Sequence, residues 1–305
     1  MSDSTLVLEI KGNSLDDGPG IRSVVFFKGC PLSCLWCHNP ESKRVGVEIS
    51  FQGHECVACD TCLETCPLDA LDRDHTFFIK RERCDLCLDC VTECPSGALS
   101  RVGTEMTVDE VVEKALKDKP FFDTSGGGVT FSGGEPVLHL DFLAEVLSRL
   151  KSEEVHTLIE TCGYFNLEKF REKVYPHVNT IFYDIKIIDE ENHKRYCGRG
   201  NRLILRNFAE LYQQSRNGGV EVLPRIPLIP GMTDTPANLD AIIRLFKELG
   251  VAKTHLMPYH PLWQEKNRQI GIDENGTDNL EMDKWIARDQ IEQCTKRFHA
   301  AGIET

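Results

Sequence analysis

Three cysteines stand close together in one short stretch of the chain. Cys30, Cys34 and Cys37 form a C-x3-C-x2-C arrangement. Because a [4Fe–4S] cluster usually has four cysteine ligands, three thiolates at this spacing can hold a cubane and leave one iron open for a ligand that the protein does not supply. An open coordination position is where a metal centre does chemistry. The same spacing allows a zinc site completed by His38 or another residue, which is the alternative to the cluster.

Two further cysteine runs share the spacing C-x2-C-x2-C-x3-C followed by proline, which is the run of bacterial ferredoxins. In two-cluster ferredoxins the fourth cysteine of each run binds the other cluster. The repeat therefore predicts two clusters, with ligands Cys56, Cys59, Cys62 and Cys94 for one and Cys84, Cys87, Cys90 and Cys66 for the other. Three cysteines lack cluster spacing and are interpreted as packing residues or incidental thiols, namely Cys162, Cys197 and Cys294.

The elements that position these cysteines follow from the pattern outside residues 51–100, where short β-branched or aromatic runs alternate with longer amphipathic ones. Such alternation is typical of a parallel sheet with crossover helices. Six strands are predicted, at residues 24–28, 129–131, 156–160, 180–185, 220–226 and 253–258. Six β/α units are too few for the eight of a closed barrel. The predicted fold class is therefore α/β, a partial (β/α)6 TIM-like barrel with its chemistry at the carboxyl ends of the strands.

Local signals mark two helices and one insertion. Thr107 and Glu110 form a capping box ahead of an apolar face, and Pro236 after Thr235 suits the first turn of another helix. Residues 51–100 carry eight cysteines in short loops between brief β-like pieces. This composition predicts an inserted ferredoxin-like domain at 51–100, within a barrel made of residues 1–50 and 101–305.

Glycine and polar residues follow the predicted strands. The pair Gly133 and Gly134 would let a ligand lie against exposed backbone, since glycine has no Cβ. Alone, such a pair is usually a turn, and charged residues that end apolar strands can simply be solvated. The strand-end residues that could contact a ligand are Gly133, Gly134, Glu135, Glu160, Asp184, Ile185, Lys186, Arg225 and His260.

Composition narrows the classes of function. The 305 residues are 41% hydrophobic and carry a net charge of −13 without a basic run, which disfavours nucleic acid as a partner. No apolar stretch reaches the roughly 20 residues of a membrane span, and the amino-terminal residues lack the pattern of a signal peptide. We expect a cytoplasmic protein with no membrane partner, whose clustered cysteines are reduced metal ligands.

With these motifs in view, the chain resembles the radical S-adenosylmethionine (SAM) superfamily, whose signature is C-x3-C-x2-C with an aromatic residue, here Trp36, before the last cysteine. Further motifs are similar to those of the glycyl-radical-enzyme activating enzymes, typified by pyruvate formate-lyase activating enzyme. They are Asp17-Gly-Pro-Gly-Ile-Arg22, Ser125-Gly-Gly-Gly-Val-Thr130, Ser132-Gly-Gly-Glu135 and Met257-Pro-Tyr-His260. The resemblance extends over essentially the whole chain outside the insert. The insert matches the activases of glycyl-radical dehydratases, decarboxylases and lyases, whereas the pyruvate formate-lyase activator lacks it.

The resemblance implies a reaction. A reduced cluster on the catalytic residues Cys30, Cys34 and Cys37 passes one electron to SAM bound at the open iron. Cleavage gives methionine and a 5′-deoxyadenosyl radical, which takes the α-hydrogen from a glycine loop of a partner glycyl radical enzyme. The implied cofactors are three [4Fe–4S] clusters and SAM, the implied electron donor is flavodoxin or ferredoxin, and the chain is expected to act as a monomer.

The match also implies the residues that bind SAM, which are Trp36, Cys37, His38, Gly133, Gly134, Glu135, Glu160, Asp184, Ile185, Lys186, Arg225 and His260. Members with this pattern can hold a monovalent cation near the carboxylate. Here Glu160 stands where pyruvate formate-lyase activators usually have a shorter Asp. Arg225 alternatively resembles a contact to the substrate peptide.

Two other functions stay open at this point. A radical SAM enzyme could instead act on a small molecule or a peptide and use the additional clusters as auxiliary centres, but such clusters typically lie in a carboxyl-terminal extension. An electron-transfer protein would use the first cluster as one more redox centre and would not cleave SAM. The insert could relay electrons to the catalytic cluster, or it could stabilise the chain and present a docking surface.

Overall fold

Two β-sheets organise the chain in the computed structural model, which describes residues 4–273 and 280–305. The strands are β1 Ser4–Ser14, β2 Arg22–Phe27, β3 Glu48–Phe51, β4 Leu99–Val102, β5 Thr104–Thr107, β6 Gly128–Gly133, β7 His156–Thr161, β8 Thr180–Asp184, β9 Glu221–Leu228 and β10 His255–Pro258. The larger sheet has eight strands in the order β10-β9-β8-β7-β6-β2-β1-β5, and the smaller sheet pairs β3 with β4.

The six predicted strands are all present and adjacent in the larger sheet. Strands β2, β6, β7, β8, β9 and β10 pair in parallel, which confirms the predicted parallel sheet. Strand β1 runs antiparallel to both β2 and β5 and extends the sheet at one edge. The prediction did not include this antiparallel edge. In a parallel sheet all carboxyl ends lie on one side, so the loops after these six strands meet there.

Helices lie between the parallel strands along the chain, and the last two follow the final strand. They are α1 Thr61–Thr65, α2 Asp89–Thr92, α3 Val108–Leu116, α4 Lys119–Ser125, α5 Leu140–Ser152, α6 Leu167–Lys173, α7 Glu190–Cys197, α8 Arg202–Arg216, α9 Pro236–Leu249, α10 Trp263–Gln269 and α11 Arg288–Ala300. The predicted capping box is confirmed, because Thr107 and Glu110 bond each other's backbone at the start of α3. Thr235 caps α9, and Pro236 occupies its first turn as predicted.

The main hydrophobic core lies between the sheet and its helices. Strands β2 and β6 are buried along almost their whole length, as expected for strands covered on both faces. Residues of the cysteine-rich segment form a separate, smaller core, composed of Ile49, Leu71, Phe78, Ile79, Cys90 and Leu99. No helix in the described part of the chain combines the length and apolar composition that a membrane span requires.

Two cations, the buried Lys28 and the partly buried Arg81, join the cysteine-rich segment to the rest of the protein. Lys28, at the end of β2, pairs with Glu48 of β3 at 2.6 Å and also donates to backbone carbonyls of the intervening loop. Arg81 donates to the carbonyl of Ile49 at 2.9 Å and to that of Gln269, in α10, at 3.3 Å. These bonds orient the small sheet against the carboxyl end of β2.

Candidate active site at the carboxyl ends of the parallel strands

The three-cysteine loop begins two residues after β2 and is held by backbone hydrogen bonds from both sides. The amide of Cys30 donates to the carbonyl of Lys43 at 3.1 Å. The amide of Ser33 donates to the carbonyl of Cys197, at the end of α7, at 3.0 Å. Cys34 is buried, whereas Cys30 and Cys37 are partly exposed. The structure thus brings the three predicted ligands together at the carboxyl end of β2.

Two cysteines without cluster spacing contact this loop. The Cys197 thiol lies beside that of Cys34 and is placed to donate to it, which lowers the pKa of Cys34 to about 7. The thiol of Cys162, which follows β7, lies beside that of Cys30, and this neighbour and burial raise the pKa of Cys162. The sequence-based interpretation of both as packing residues or incidental thiols agrees with their burial in the main core but did not include these contacts, because the partners lie far apart in the chain. Cys294 is buried in the main core, in keeping with a packing role.

The double glycine after β6 packs against the cysteine loop. A Cβ on Gly134 would lie 2.1 Å from the carbonyl oxygen of Gly29, and one on Gly133 would lie 2.5 Å from the backbone of Phe27. Gly133 also has a φ of +101°, which favours glycine. Both glycines are therefore required by the close approach of two backbones. Their predicted contact with SAM stays a prediction.

Glu135 is buried, and both of its carboxylate oxygens accept hydrogen bonds from other residues of the protein. It accepts hydrogen bonds from the Thr161 hydroxyl at 2.9 Å, from the Cys162 amide at 2.8 Å and from the Val137 amide at 3.2 Å. Burial raises the pKa of Glu135 despite these donors. The side chain thus ties the loop after β6 to the end of β7.

Four charged side chains form an ionic network across the ends of β7, β8 and β9. Arg225 donates to Glu160 and, through Nε and Nη2, to Oδ1 of Asp184 at 3.0 and 2.9 Å. Lys186 pairs with Oδ2 of Asp184 at 3.0 Å. Although burial raises the pKa of Asp184, Arg225 and Lys186 hold it below its usual value. Ile185, which stands between Asp184 and Lys186 in the sequence, is buried, and its amide donates a hydrogen bond to the carbonyl of Arg225.

Two histidine rings lie together beside the cysteine loop. The ring centroids of His38 and His260 are 4.0 Å apart. Burial, and to a smaller extent the neighbouring His260, lowers the pKa of His38 to about 4. His38 Nε2 and His260 Nδ1 are buried and have no hydrogen-bond partner among the described residues. Neutral rings with free nitrogens can bind the polar atoms of a ligand. Trp36 is buried in the main core.

The ferredoxin-like cysteines line two cavities. One is surrounded by Cys56, Cys59, Cys62 and Cys94, and the other by Cys66, Cys84, Cys87 and Cys90. The fourth cysteine of each run thus faces the cavity of the other run. Among the described residues, no group of three or more His, Cys, Asp or Glu side chains is arranged to hold a single metal ion.

The two cysteine runs adopt the same backbone conformation. Ala58 and Leu86, each two residues after the first cysteine of its run, have φ values of +57° and +64°. Asp60 and Leu88 are matched in the same way and precede helices α1 and α2. Left-handed backbone is unfavourable for residues other than glycine, so its repetition here indicates a constraint shared by both runs.

A third cavity connects the insert with the three-cysteine loop. It has a volume of about 380 Å³ and is lined by both Cys30 and Cys84. Lys43, Arg44 and Arg81 give it a basic wall. One ligand of the predicted catalytic cluster and one ligand of a predicted ferredoxin-like cluster therefore face the same space.

The motifs at residues 17–22 and 125–130 lie at the amino ends of the strands, away from the cysteine loop. Arg22 begins β2, is fully buried, and donates to the Thr130 hydroxyl at 2.6 Å and to the carbonyls of Pro19 and Val129. A Cβ on Gly20 would lie 2.5 Å from the amide of Gly127, so the two glycine-rich segments touch through their backbones. These motifs join β2 to β6 at their amino ends and do not line the site.

The chain is similar to the model of one protein family and to several glycyl-radical-enzyme activating enzymes. Residues 24–246 match the model of the radical SAM superfamily. The chain is 37% identical to the trans-4-hydroxy-L-proline dehydratase activating enzyme of Clostridioides difficile, over 98% of both chains. It is 41% identical to the isethionate sulfite-lyase activating enzyme of Nitratidesulfovibrio vulgaris, over 86% of both chains. It is 40% identical to the benzylsuccinate synthase activating enzyme of Thauera aromatica, over 77% of this chain and 72% of the relative.

Proposed function

The chain belongs to the radical SAM superfamily and is a glycyl-radical-enzyme activating enzyme, and from this premise we propose which of its residues carry the reaction. Cys30, Cys34 and Cys37 hold the catalytic [4Fe–4S] cluster that the superfamily implies. The observation that supports this most strongly is their convergence in one loop at the carboxyl end of β2. The six parallel strands then form the partial (β/α)6 barrel around the site.

The surrounding side chains fit SAM. The buried ring nitrogens of His38 and His260 lack protein partners and would bind polar atoms of SAM. Lys186 supplies positive charge for its carboxylate, and Asp184, which accepts hydrogen bonds from both Lys186 and Arg225, orients the Lys186 ammonium. When bound, the reduced cluster supplies the one electron that cleaves SAM to methionine and a 5′-deoxyadenosyl radical. Trp36 and Ile185, which flank these positions in the sequence, are both buried and make the surroundings of the proposed site apolar.

Residues 51–100 are proposed to be a ferredoxin-like domain with two further [4Fe–4S] clusters. Cys56, Cys59, Cys62 and Cys94 would hold one, and Cys66, Cys84, Cys87 and Cys90 the other. The two cavities support this partition, because each is lined by the four cysteines that the ferredoxin pattern assigns to one cluster. The amides of Ala70 and Leu99 point at the sulfurs of Cys66 and Cys94, as donors to thiolates would.

The insert is further proposed to relay electrons from flavodoxin or ferredoxin. The cavity shared by Cys30 and Cys84 favours this role over a purely structural one, because it brings one ligand of each site to a common space. A solely stabilising domain would not need that proximity.

The partner is proposed to be a glycyl radical enzyme that offers a glycine loop. Leu262 and Trp285, 60% and 65% exposed, lie near the site, and the Trp285 ring is 5.5 Å from that of His260. Exposed apolar side chains at a site entrance suit a protein partner. The relatives serve a dehydratase, a lyase and a synthase at similar identities, so identity alone does not select the partner. The chain is proposed to act in the cytoplasm as a monomer.

Metal content tests the cluster assignment. Protein prepared without oxygen should contain about twelve irons per chain, which corresponds to three cubanes. Cys34→Ala should remove one cluster and abolish SAM cleavage. Cys56→Ala or Cys84→Ala should leave the catalytic cluster loaded, as judged by the change that SAM causes in its electron paramagnetic resonance spectrum. A wild-type protein with about four irons would contradict the proposal for the insert.

A further inference from the structure

The carboxylates of Glu160 and Asp184 share one guanidinium. Arg225 reaches both from β9, with Nη1 on Oε1 of Glu160 and with Nε and Nη2 on Oδ1 of Asp184. Its guanidinium also lies 5.2 Å from the centroid of the Phe182 ring. A planar fork of donors suits this double contact, which a lysine ammonium could not reproduce.

The remaining oxygens of both carboxylates are also used. Oε2 of Glu160 accepts a hydrogen bond from the Ser132 hydroxyl at 2.7 Å, and Oδ2 of Asp184 pairs with Lys186 at 3.0 Å. Hard cations bind through oxygen atoms. The oxygens that carry negative charge at the ends of β7 and β8 are the carboxylate oxygens of Glu160 and Asp184. Every one of them already has a donor.

The charges of the network also balance. Glu160 and Asp184 contribute two negative charges, and Lys186 and Arg225 two positive ones. None of the four side chains is more than 17% exposed. An additional cation would therefore be an uncompensated charge in a poorly solvated place, which is costly.

We propose that the Arg225 guanidinium takes the place of the monovalent cation that the family resemblance implies, so that SAM binding by this chain requires neither Na⁺ nor K⁺. Arg225 is then a positioning residue that fixes Glu160 and Asp184. The inference rests on the proposed SAM site. It adds to that proposal one consequence, which is that SAM binding does not depend on alkali cations.

The test is the dissociation constant of SAM for the holoenzyme in buffers that contain Na⁺, K⁺ or only tetramethylammonium. The three values should agree within about twofold. For Arg225→Ala we expect binding at least about tenfold weaker in tetramethylammonium, because two carboxylates lose their shared partner. Added K⁺, Na⁺ or methylguanidinium should restore much of that loss. Arg225→Lys, which keeps the charge, should lie between the two proteins.

The controls separate this inference from the proposed function. Arg171→Ala removes a comparable Arg–Glu pair on the surface and should leave SAM binding unchanged in all three buffers. Wild-type binding that weakens tenfold or more when K⁺ is replaced by tetramethylammonium would overturn the inference and leave the SAM site intact. A variant Arg225→Ala that neither cations nor methylguanidinium rescue would also overturn it. Absence of SAM binding by the wild type in every buffer would contradict the proposed function itself.

Discussion

At the scale of single residues, the site depends on side chains that come from distant parts of the chain. The thiols of Cys197 and Cys162 lie beside those of Cys34 and Cys30 and are placed to donate hydrogen bonds to thiolates there. Hydrogen bonds to cluster sulfurs are among the factors that set the reduction potential of a [4Fe–4S] centre. The two thiols therefore belong to the environment that would tune the catalytic cluster.

The spacing of cysteines predicted the cluster ligands but not these two donors. A ligand set is local, so it leaves a pattern in the sequence, whereas Cys197 comes beside Cys34 only when the end of α7 packs on the loop, where its carbonyl accepts the amide of Ser33. Gly134 shows the converse. The sequence predicted that this position needs a glycine. It did not predict the physical reason, which is the close approach of the Gly29 carbonyl.

Removal of the Cys197 donor should lower the potential of the catalytic cluster. One hydrogen bond contributes about 1 kcal/mol, which corresponds to roughly 40 mV for one electron, and it stabilises the more negative reduced state. In a redox titration followed by electron paramagnetic resonance, Cys197→Ala should shift the potential downward by that amount. Cys197→Ser keeps a donor and should shift it less, and Cys294→Ala should not shift it. An unchanged or higher potential in Cys197→Ala would contradict the role of this thiol.

At the scale of elements, the parallel strands were predictable and the sheet edge was not. Strands such as β2 and β6 are buried along almost their whole length, and their β-branched and aromatic residues made them recognisable in the sequence. Strand β5 exposes three of its four residues, so it has no apolar signal, and its partner β1 lies about a hundred positions earlier. The turns of the insert were equally hidden, because Ala58 and Leu86 adopt left-handed backbone without being glycine.

The insert as an element should show its role through the choice of reductant. If it relays electrons, Cys87→Ala should slow SAM cleavage with flavodoxin or ferredoxin about tenfold or more. With a small chemical reductant that reaches the catalytic cluster directly, the rate should change less than about twofold. Initial rates of 5′-deoxyadenosine formation with both reductants measure the difference. Equal slowing with both would favour a structural role for the insert.

At the scale of the whole molecule, the sheet remains open in the described part of the chain. Strands β10 and β5 form its two edges. In the proposed partial barrel these edges would leave a lateral gap that a complete barrel would close, and such a gap would suit a bulky substrate such as a protein loop. The attacked atom must come into contact distance of the adenosyl radical, so the partner has to extend its loop into the site. Glycine fits this requirement because it has no side chain and a flexible backbone.

The central claim is that this chain removes an α-hydrogen from a glycine of another protein. The direct measurement is to mix the reduced holoenzyme and SAM with a candidate glycyl radical enzyme whose glycines carry deuterium at Cα. Deuterium should appear in the 5′-deoxyadenosine product while a glycyl radical signal grows on the partner, and Cys34→Ala should produce neither. Rapid 5′-deoxyadenosine formation from a small metabolite, with no deuterium transferred from any candidate partner, would contradict the claim.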